Sequence, residues 1–392
     1  MKAGYRYDPL DKPGLAHFTE HMLFSGTKKY PSHSQLADAV ERYGGFHTAF
    51  TWIDYQNHSI RLPRNQFHLG IEILLDTLFH SLIQNEEIEK EKGTVKEEIL
   101  RNISDPEKAI WSYVWLPLFF NNTLLSQSYS GGTADVEKFT KHDICQFIRS
   151  HFQPDDVVYF IAGDVTVYGA EQAILKYLKG LTFTSGKHRV PIIKRKIDGR
   201  VSVRHNELDS LSLIVAIPTV SIYSFDRHVL DILRNMLSAG FGASLPDKLR
   251  NQGGLIYTWS SSHDTLFDTG YLLFKTATNK KNAMKVVTII IEEFQRIARG
   301  ELSDEKIELA KGNLIGRLLS NIETGSDYIR WYGLQEFYSL ERVLHIQDQI
   351  NIYKSISKKD ILTVAKRYFS LNQIYIAACG DVKQKEFEKL LI

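Results

Sequence analysis

The fold class predicted here is α+β, built as two homologous sandwich domains, and three observations predict it. Strand-like apolar runs such as residues 212–217 stand apart from long amphipathic helical patterns such as residues 66–84 and 281–299, and segregated strands and helices pack as helices on a sheet. Residues 140–152 and 161–165 recur without a gap 217 positions later as residues 357–369 and 378–382, the mark of a duplicated unit. The length of 392 residues exceeds one ordinary core and suits two. Each copy opens on a hydroxyl N-cap, Thr140 or Ser357, with Asp143 or Asp360 three residues on, continues as a helix and leads into an apolar strand ending in Gly-Asp-Val. A polar stretch at residues 185–191, followed by Lys194-Arg195-Lys196, reads as a linker. The expected division is therefore a domain at 1–186, a linker at 187–200 and a second domain at 201–392.

The first element with chemical content is a helix near residues 15–24, entered from Pro13-Gly14 and stopped by Ser25-Gly26. It carries His17-Phe18-Thr19-Glu20-His21. His17 and His21 are one turn apart and Glu20 projects beside them, while Phe18 and Met22 share an apolar face. Two neutral imidazoles suit Zn²⁺, and an unbound neighbouring carboxylate can take a proton from water. Two core histidines satisfied by backbone carbonyls are the plainer alternative, but a polar stripe shared with a carboxylate argues for a ligand. A catalytic zinc wants a third protein ligand. The acidic helix predicted from Asn85 onward offers candidates, with Glu91, Val95 and Glu98 on one face and Glu97 beside them, although acidic pairs on such helices are commonly solvated.

The order of these motifs resembles the pitrilysin/insulinase family of zinc metallopeptidases. His17-x-x-Glu20-His21 within Gly14 to Thr27 resembles its signature helix, and Glu91-Lys92-Gly93-Thr94-Val95-Lys96-Glu97-Glu98-Ile99 resembles its second motif. The resemblance implies His17, His21 and Glu98 as ligands of one Zn²⁺ per chain, Glu20 as the catalytic base and Glu91 as its acidic partner. Gly44-Gly45 through Thr51 resembles the edge strand that pairs with a peptide substrate, which implies substrate contacts at Ala49, Phe50 and Thr51; Thr48 stands where the family usually has Asn. Residues 249–257 resemble the second-domain segment whose Arg and Tyr reach the substrate, here Arg250 and Tyr257. Mostly antiparallel sheets covered by helices are implied as well. The second half lacks H-x-x-E-H, which assigns catalysis to the first.

The implied function is a zinc-dependent metalloendopeptidase acting on extended peptides or small unfolded polypeptides. The alternative is a non-catalytic peptide-binding or scaffold subunit. Two domains resemble the short branch of the family, similar to mitochondrial processing peptidases, which implies a homodimer or a heterodimer with a related subunit. Members resembling this chain carry further residues ahead of Ala3-Gly4-Tyr5-Arg6 that supply additional strands. The expectation is an exposed strand edge, with reduced solubility or an unusual dimer contact. A net charge of +2 without a dense basic tract argues against nucleic acid. No apolar run approaches a membrane span, and two cysteines with no leader sequence at the start point to the cytoplasm.

Overall fold

The computed structural model describes residues 1–121, 123–153, 156–179, 181, 199–205, 207 and 210–392. Most of the expected linker at 187–200 lies outside them. The chain forms two compact units: Met1–Arg101 with Gln127–Pro191 and Thr324–Phe337, and Asn102–Ser126 with Ile192–Glu323 and Tyr338–Ile392. Each unit thus takes one segment from beyond the sequence division, residues 324–337 in the first and residues 102–126 in the second.

In the first unit, helix α1 (Leu15–Leu23) starts after Gly14, whose φ of 89° is open to glycine at low cost. The Asp8 carboxylate accepts hydrogen bonds from the backbone N–H groups of Gly14 and Ala16, both at 2.7 Å, satisfying donors that a helix start leaves open. Leu15, Ala16, Phe18, Met22 and Leu23 are buried, with Phe18 edge-on to Phe139 at 5.3 Å. Helix α2 (His33–Glu41) is capped by Ser32 Oγ, which accepts from the Gln35 N–H. Strands β1 (Phe46–Thr51) and β2 (Gln56–Arg61) pair antiparallel, Thr48 opposite Ser59 and Ala49 opposite His58. Phe46, Thr48 and Phe50 lie on the exposed face of β1, while His47, Ala49 and Thr51 turn inward. Helices α3 (Phe67–Phe79) and α4 (Asn85–Ser104) follow. Ile88, Val95 and Ile99 form the buried stripe of α4, spaced as one helical face requires. Helices α5 (Lys141–His151) and α6 (Val167–Leu178) complete this stretch.

The strand expected after α5 is corrected by the structure. Residues 157–162 have no ladder partner, and β1–β2 is the ladder of this unit among the described residues. An apolar run becomes a strand when a neighbour accepts and donates its backbone bonds, and these residues have none alongside.

The second unit centres on a five-stranded sheet of β3 (Val201–Arg204), β4 (Ser210–Thr219), β5 (Thr258–Thr265), β6 (Gly270–Asn279) and β7 (Tyr375–Cys379), ordered β3-β7-β4-β6-β5. Only the β3–β7 pair is parallel. Helices α7 (Asp226–Ser238), α8 (Ala283–Ala298), α9 (Asp304–Ser320), α10 (Ile346–Ser355) and α11 (Lys358–Tyr368) belong to this unit. Phe294 of α8 stacks on Phe369 at 4.8 Å, and both belong to a core that takes in Leu213, Val215, Phe274 and Ile376 of the sheet. Residues 102–126 add an aromatic cluster: Trp115 and Phe119 meet Tyr271 of β6 at 5.6 and 5.3 Å. A strand such as β4, with seven successive buried residues, is covered on both faces, so its sequence is a continuous apolar run and not an alternating one. Among the described residues no helix is long and apolar enough to cross a membrane.

Candidate metal centre

Helix geometry brings His17 and His21 onto one face of α1, with their Nε2 atoms 3.3 Å apart. Glu98 of α4 faces them, its Oε2 lying 3.8 Å from each of these nitrogens. Among the described residues this trio is the one group of three or more His, Cys, Asp or Glu whose donor atoms lie within 4.8 Å of one another. Tetrahedral zinc with ligands at about 2.0–2.1 Å sets donor-to-donor edges of about 3.3 Å. The His–His edge matches that figure and the carboxylate edges are slightly wider, so the donor set fits such an ion.

Around the trio, three contacts fix orientation. Glu91, two turns before Glu98 on α4, meets His21 Nδ1 at 2.8 Å, which aims Nε2 inward. The Tyr129 hydroxyl donates to Glu98 Oε1 at 2.9 Å and leaves Oε2 toward the histidines, while the ring stands edge-on to His17 at 5.0 Å. Thr51, the last residue of β1, donates from Oγ1 to Glu20 Oε2 at 2.5 Å. The residue opposite Thr51 on β2 is tied to the same helix, because Gln56 Nε2 donates to the Ala16 carbonyl at 2.5 Å.

Three carboxylates, Glu20, Glu91 and Glu98, surround two imidazoles. Burial, reinforced by His21, pushes the His17 imidazole down to about 3, so it is neutral and its lone pair is free. Its Nδ1 is buried without a hydrogen-bond partner. For His21, burial lowers the pKa, but the Glu91 hydrogen bond and the charges of Glu91, Glu20 and Glu98 outweigh it and the net shift is upward. Burial raises Glu20, opposed by Thr51 and His21 and assisted by Glu98. Carboxylates gathered beside neutral imidazole suit a divalent ion.

The residues singled out in the sequence separate into two groups. His17, Glu20, His21, Thr51, Glu91 and Glu98 are brought together; Thr51 stands against Glu20. Ala49 and Phe50 lie on β1, whose second edge has no ladder partner among the described residues, and Phe50 is exposed. Arg250 and Tyr257 belong to the second unit, and both are exposed. Tyr129 escaped the sequence reading. Its position depends on a close approach of two backbones, since a Cβ on Gly14 would strike Ser130 and one on Gly131 would strike Pro13. The Gly131-Gly132 pair is the only sequence sign of that contact.

Two family models match the chain: "Insulinase (Peptidase family M16)" over residues 1–128, and "Peptidase M16 inactive domain" over residues 138–314. This chain belongs to the pitrilysin/insulinase family. It is 24% identical to an uncharacterized zinc protease of Streptomyces coelicolor, over 96% of this chain and 83% of that protein. It is 22% identical to the uncharacterized zinc protease YmxG of Bacillus subtilis, over 94% and 88%. The beta subunit of human mitochondrial-processing peptidase is 23% identical over 98% and 80%. Among solved structures, a protease from Helicobacter pylori superposes with a TM-score of 0.87 at 21% identity, covering 97% of this chain and 92% of that one. A peptidase M16 inactive domain from Pseudomonas fluorescens gives 0.88 at 16% identity, with the same coverage. These likenesses establish the two-domain M16 fold. The match to the inactive-domain model begins well after the H-x-x-E-H segment, which falls within the other match.

Proposed function

We propose that this chain is a zinc-dependent metalloendopeptidase cleaving extended peptides or small unfolded polypeptides. The observation that carries this reading is the convergence of His17 Nε2, His21 Nε2 and Glu98 Oε2, with the Glu20 carboxylate held by Thr51. The names of relatives as zinc proteases support it. His17, His21 and Glu98 would hold one zinc ion, and Glu91 and Tyr129 would orient two of those ligands. Zinc held there would supply the positive charge that acidifies water and polarises a peptide carbonyl.

The chain's own residues do the rest. Thr51 engages Glu20 Oε2 and leaves Oε1 without a protein donor among the described residues, so Oε1 accepts the proton of the attacking water and passes it to the leaving amine. Burial of the Glu20 carboxyl raises its pKa, which makes it a stronger base than a solvated carboxylate. The free edge of β1 binds the peptide as an added strand, with Ala49 and Phe50 along it. Arg250 and Tyr257, both exposed, offer donors to substrate acceptors. We infer that the chain works as a dimer with a second copy or a related subunit, in keeping with a relative that is itself named as a subunit.

Cleavage of a mixed library of quenched peptides tests the proposal, with Glu20→Gln assayed beside the parent. Chelator-sensitive turnover that is lost in the variant supports it. Zinc bound by a pure dimer with no cleavage of any peptide contradicts it and favours the scaffold subunit instead.

A further inference from the structure

Phe241 is 60% exposed. It sits between Gly240, with φ of 92°, and Gly242, on the loop that follows α7. Two hydrogen bonds fix that loop: the Trp259 indole N–H donates to the Ser238 carbonyl at 3.1 Å, and Asn251 Nδ2 donates to the Phe241 carbonyl at 2.9 Å. The Phe241 and Trp259 rings meet edge to face, centroids 5.2 Å apart and planes at 82°, so together they form a corner. The Arg250 guanidinium sits in this corner, 4.8 Å from the Phe241 centroid and 5.5 Å from that of Trp259. The neighbouring Leu249 is fully buried and anchors the backbone beneath it.

Arg250 is therefore held through its π faces alone. Among the described residues its guanidinium has no ion pair and no hydrogen bond. Stacking on aromatic faces leaves all five N–H donors in the guanidinium plane available, and that fork fits a carboxylate or a polarised carbonyl. An arginine that spends its donors on protein carboxylates, as Arg296 does on Glu293, has none left for a ligand.

We propose that Phe241 is a positioning residue: with Trp259 it clamps the Arg250 guanidinium so that its N–H edge is presented, preorganised, to an acceptor oxygen of the peptide. The role of that edge in turnover rests on the metallopeptidase reading, whereas the clamp itself does not. Trp259 is half-buried within the unit and tied to Ser238, while Phe241 is the exposed and therefore separable half of the corner.

The test uses the full-length protein with isotope-labelled arginine. The order parameter of the Arg250 Nε–H group is measured in the parent, Phe241→Leu and Phe241→Tyr, together with kcat/KM on a cleaved peptide in the same variants and in an Arg250→Ala background. The expected result is a rigid Arg250 in the parent and in Phe241→Tyr, and a mobile one in Phe241→Leu. A fall in kcat/KM of about three- to fivefold should accompany Phe241→Leu, the loss expected from one exposed cation–π contact, and should vanish when Arg250 is already Ala. An unchanged order parameter in Phe241→Leu overturns the proposal, as does an equal loss of turnover with and without Arg250. Should the parent cleave no peptide, the metallopeptidase reading fails, and the order parameter alone decides the clamp: mobility in Phe241→Leu upholds it and rigidity refutes it.

Discussion

Each compact unit buries carboxylates, and the contrast between them separates structure from function. In the second unit Glu293 is fully buried, yet both oxygens are taken: Arg296 binds it bidentately at 2.8 and 2.9 Å, and Lys248 Nζ lies at 2.5 Å. In the first unit Glu20, Glu91 and Glu98 gather around two histidines, with Thr51 and Tyr129 donating hydroxyl hydrogens to Glu20 and Glu98. A buried charge survives when it is paired. The Glu293 cluster is complete as it stands and joins α8 to Lys248, whereas the Glu98 cluster brings together a donor set that fits a divalent ion.

The first way to sharpen this comparison is Glu20→Gln. Removing a general base costs about 10²–10⁴-fold in turnover, while zinc content and melting temperature should match the parent. A peptide assay run with metal analysis checks both, and loss of zinc in this variant would move Glu20 from base to ligand. Next in size is Glu293→Gln, which leaves two cations facing a neutral amide. Because Lys248 and Arg296 are partly exposed and can turn to water, the cost falls to about 2 kcal/mol, below that of breaking a sealed pair. Urea melts should show it in the second unit, with zinc affinity unaltered.

The same residue predicts a pH dependence. Burial works against its ionised form, but Arg296, Lys248 and Ser244 outweigh it and hold the Glu293 carboxyl down to about 2, from an ordinary 4.5. A depressed acid contributes its full stability above the unfolded value and loses it as pH falls toward the folded one. The difference between parent and Glu293→Gln should accordingly be greatest above about pH 5 and shrink between 4.5 and 2. A gap that stays constant through acid titration would mean that packing, and not charge, is what the glutamate supplies.

Tyr129→Phe should be milder still, weakening zinc binding about tenfold as loss of a group that orients a ligand does, with little change in fold. Smallest are the caps. Thr140→Ala and Ser357→Ala each remove an oxygen that accepts from the N3 backbone N–H in a capping box, at about 1 kcal/mol apiece. Equal losses at the two sites would show that the repeated helix is held in the same way in both halves.

That repeated helix also explains what the sequence discloses and what it hides. Both capping boxes were readable because each is settled by four consecutive residues, and α5 and α11 follow from them. The strand after each helix is not a local property: residues 375–379 lie between β3 and β4, but residues 157–162 have no ladder although their composition is as apolar. The shared face of His17 and His21 on α1 was legible from its i, i+4 spacing, and the choice of Glu98 over Glu97 as a candidate third ligand needed the resemblance. Tyr129 was not legible, since it is set beside His17 by glycine contacts between segments more than a hundred residues apart. The exchange of residues 102–126 and 324–337 between the units was equally hidden, because nothing in an amphipathic helix says which core its apolar face will join.

Titration of zinc into metal-free protein, followed by calorimetry in the parent, Glu20→Gln and His21→Gln, addresses the central claim most directly. The account predicts one tight site per chain in the parent and in Glu20→Gln, and loss of that site in His21→Gln. Equal zinc binding by the parent and His21→Gln would contradict it, since the ion would then be held elsewhere.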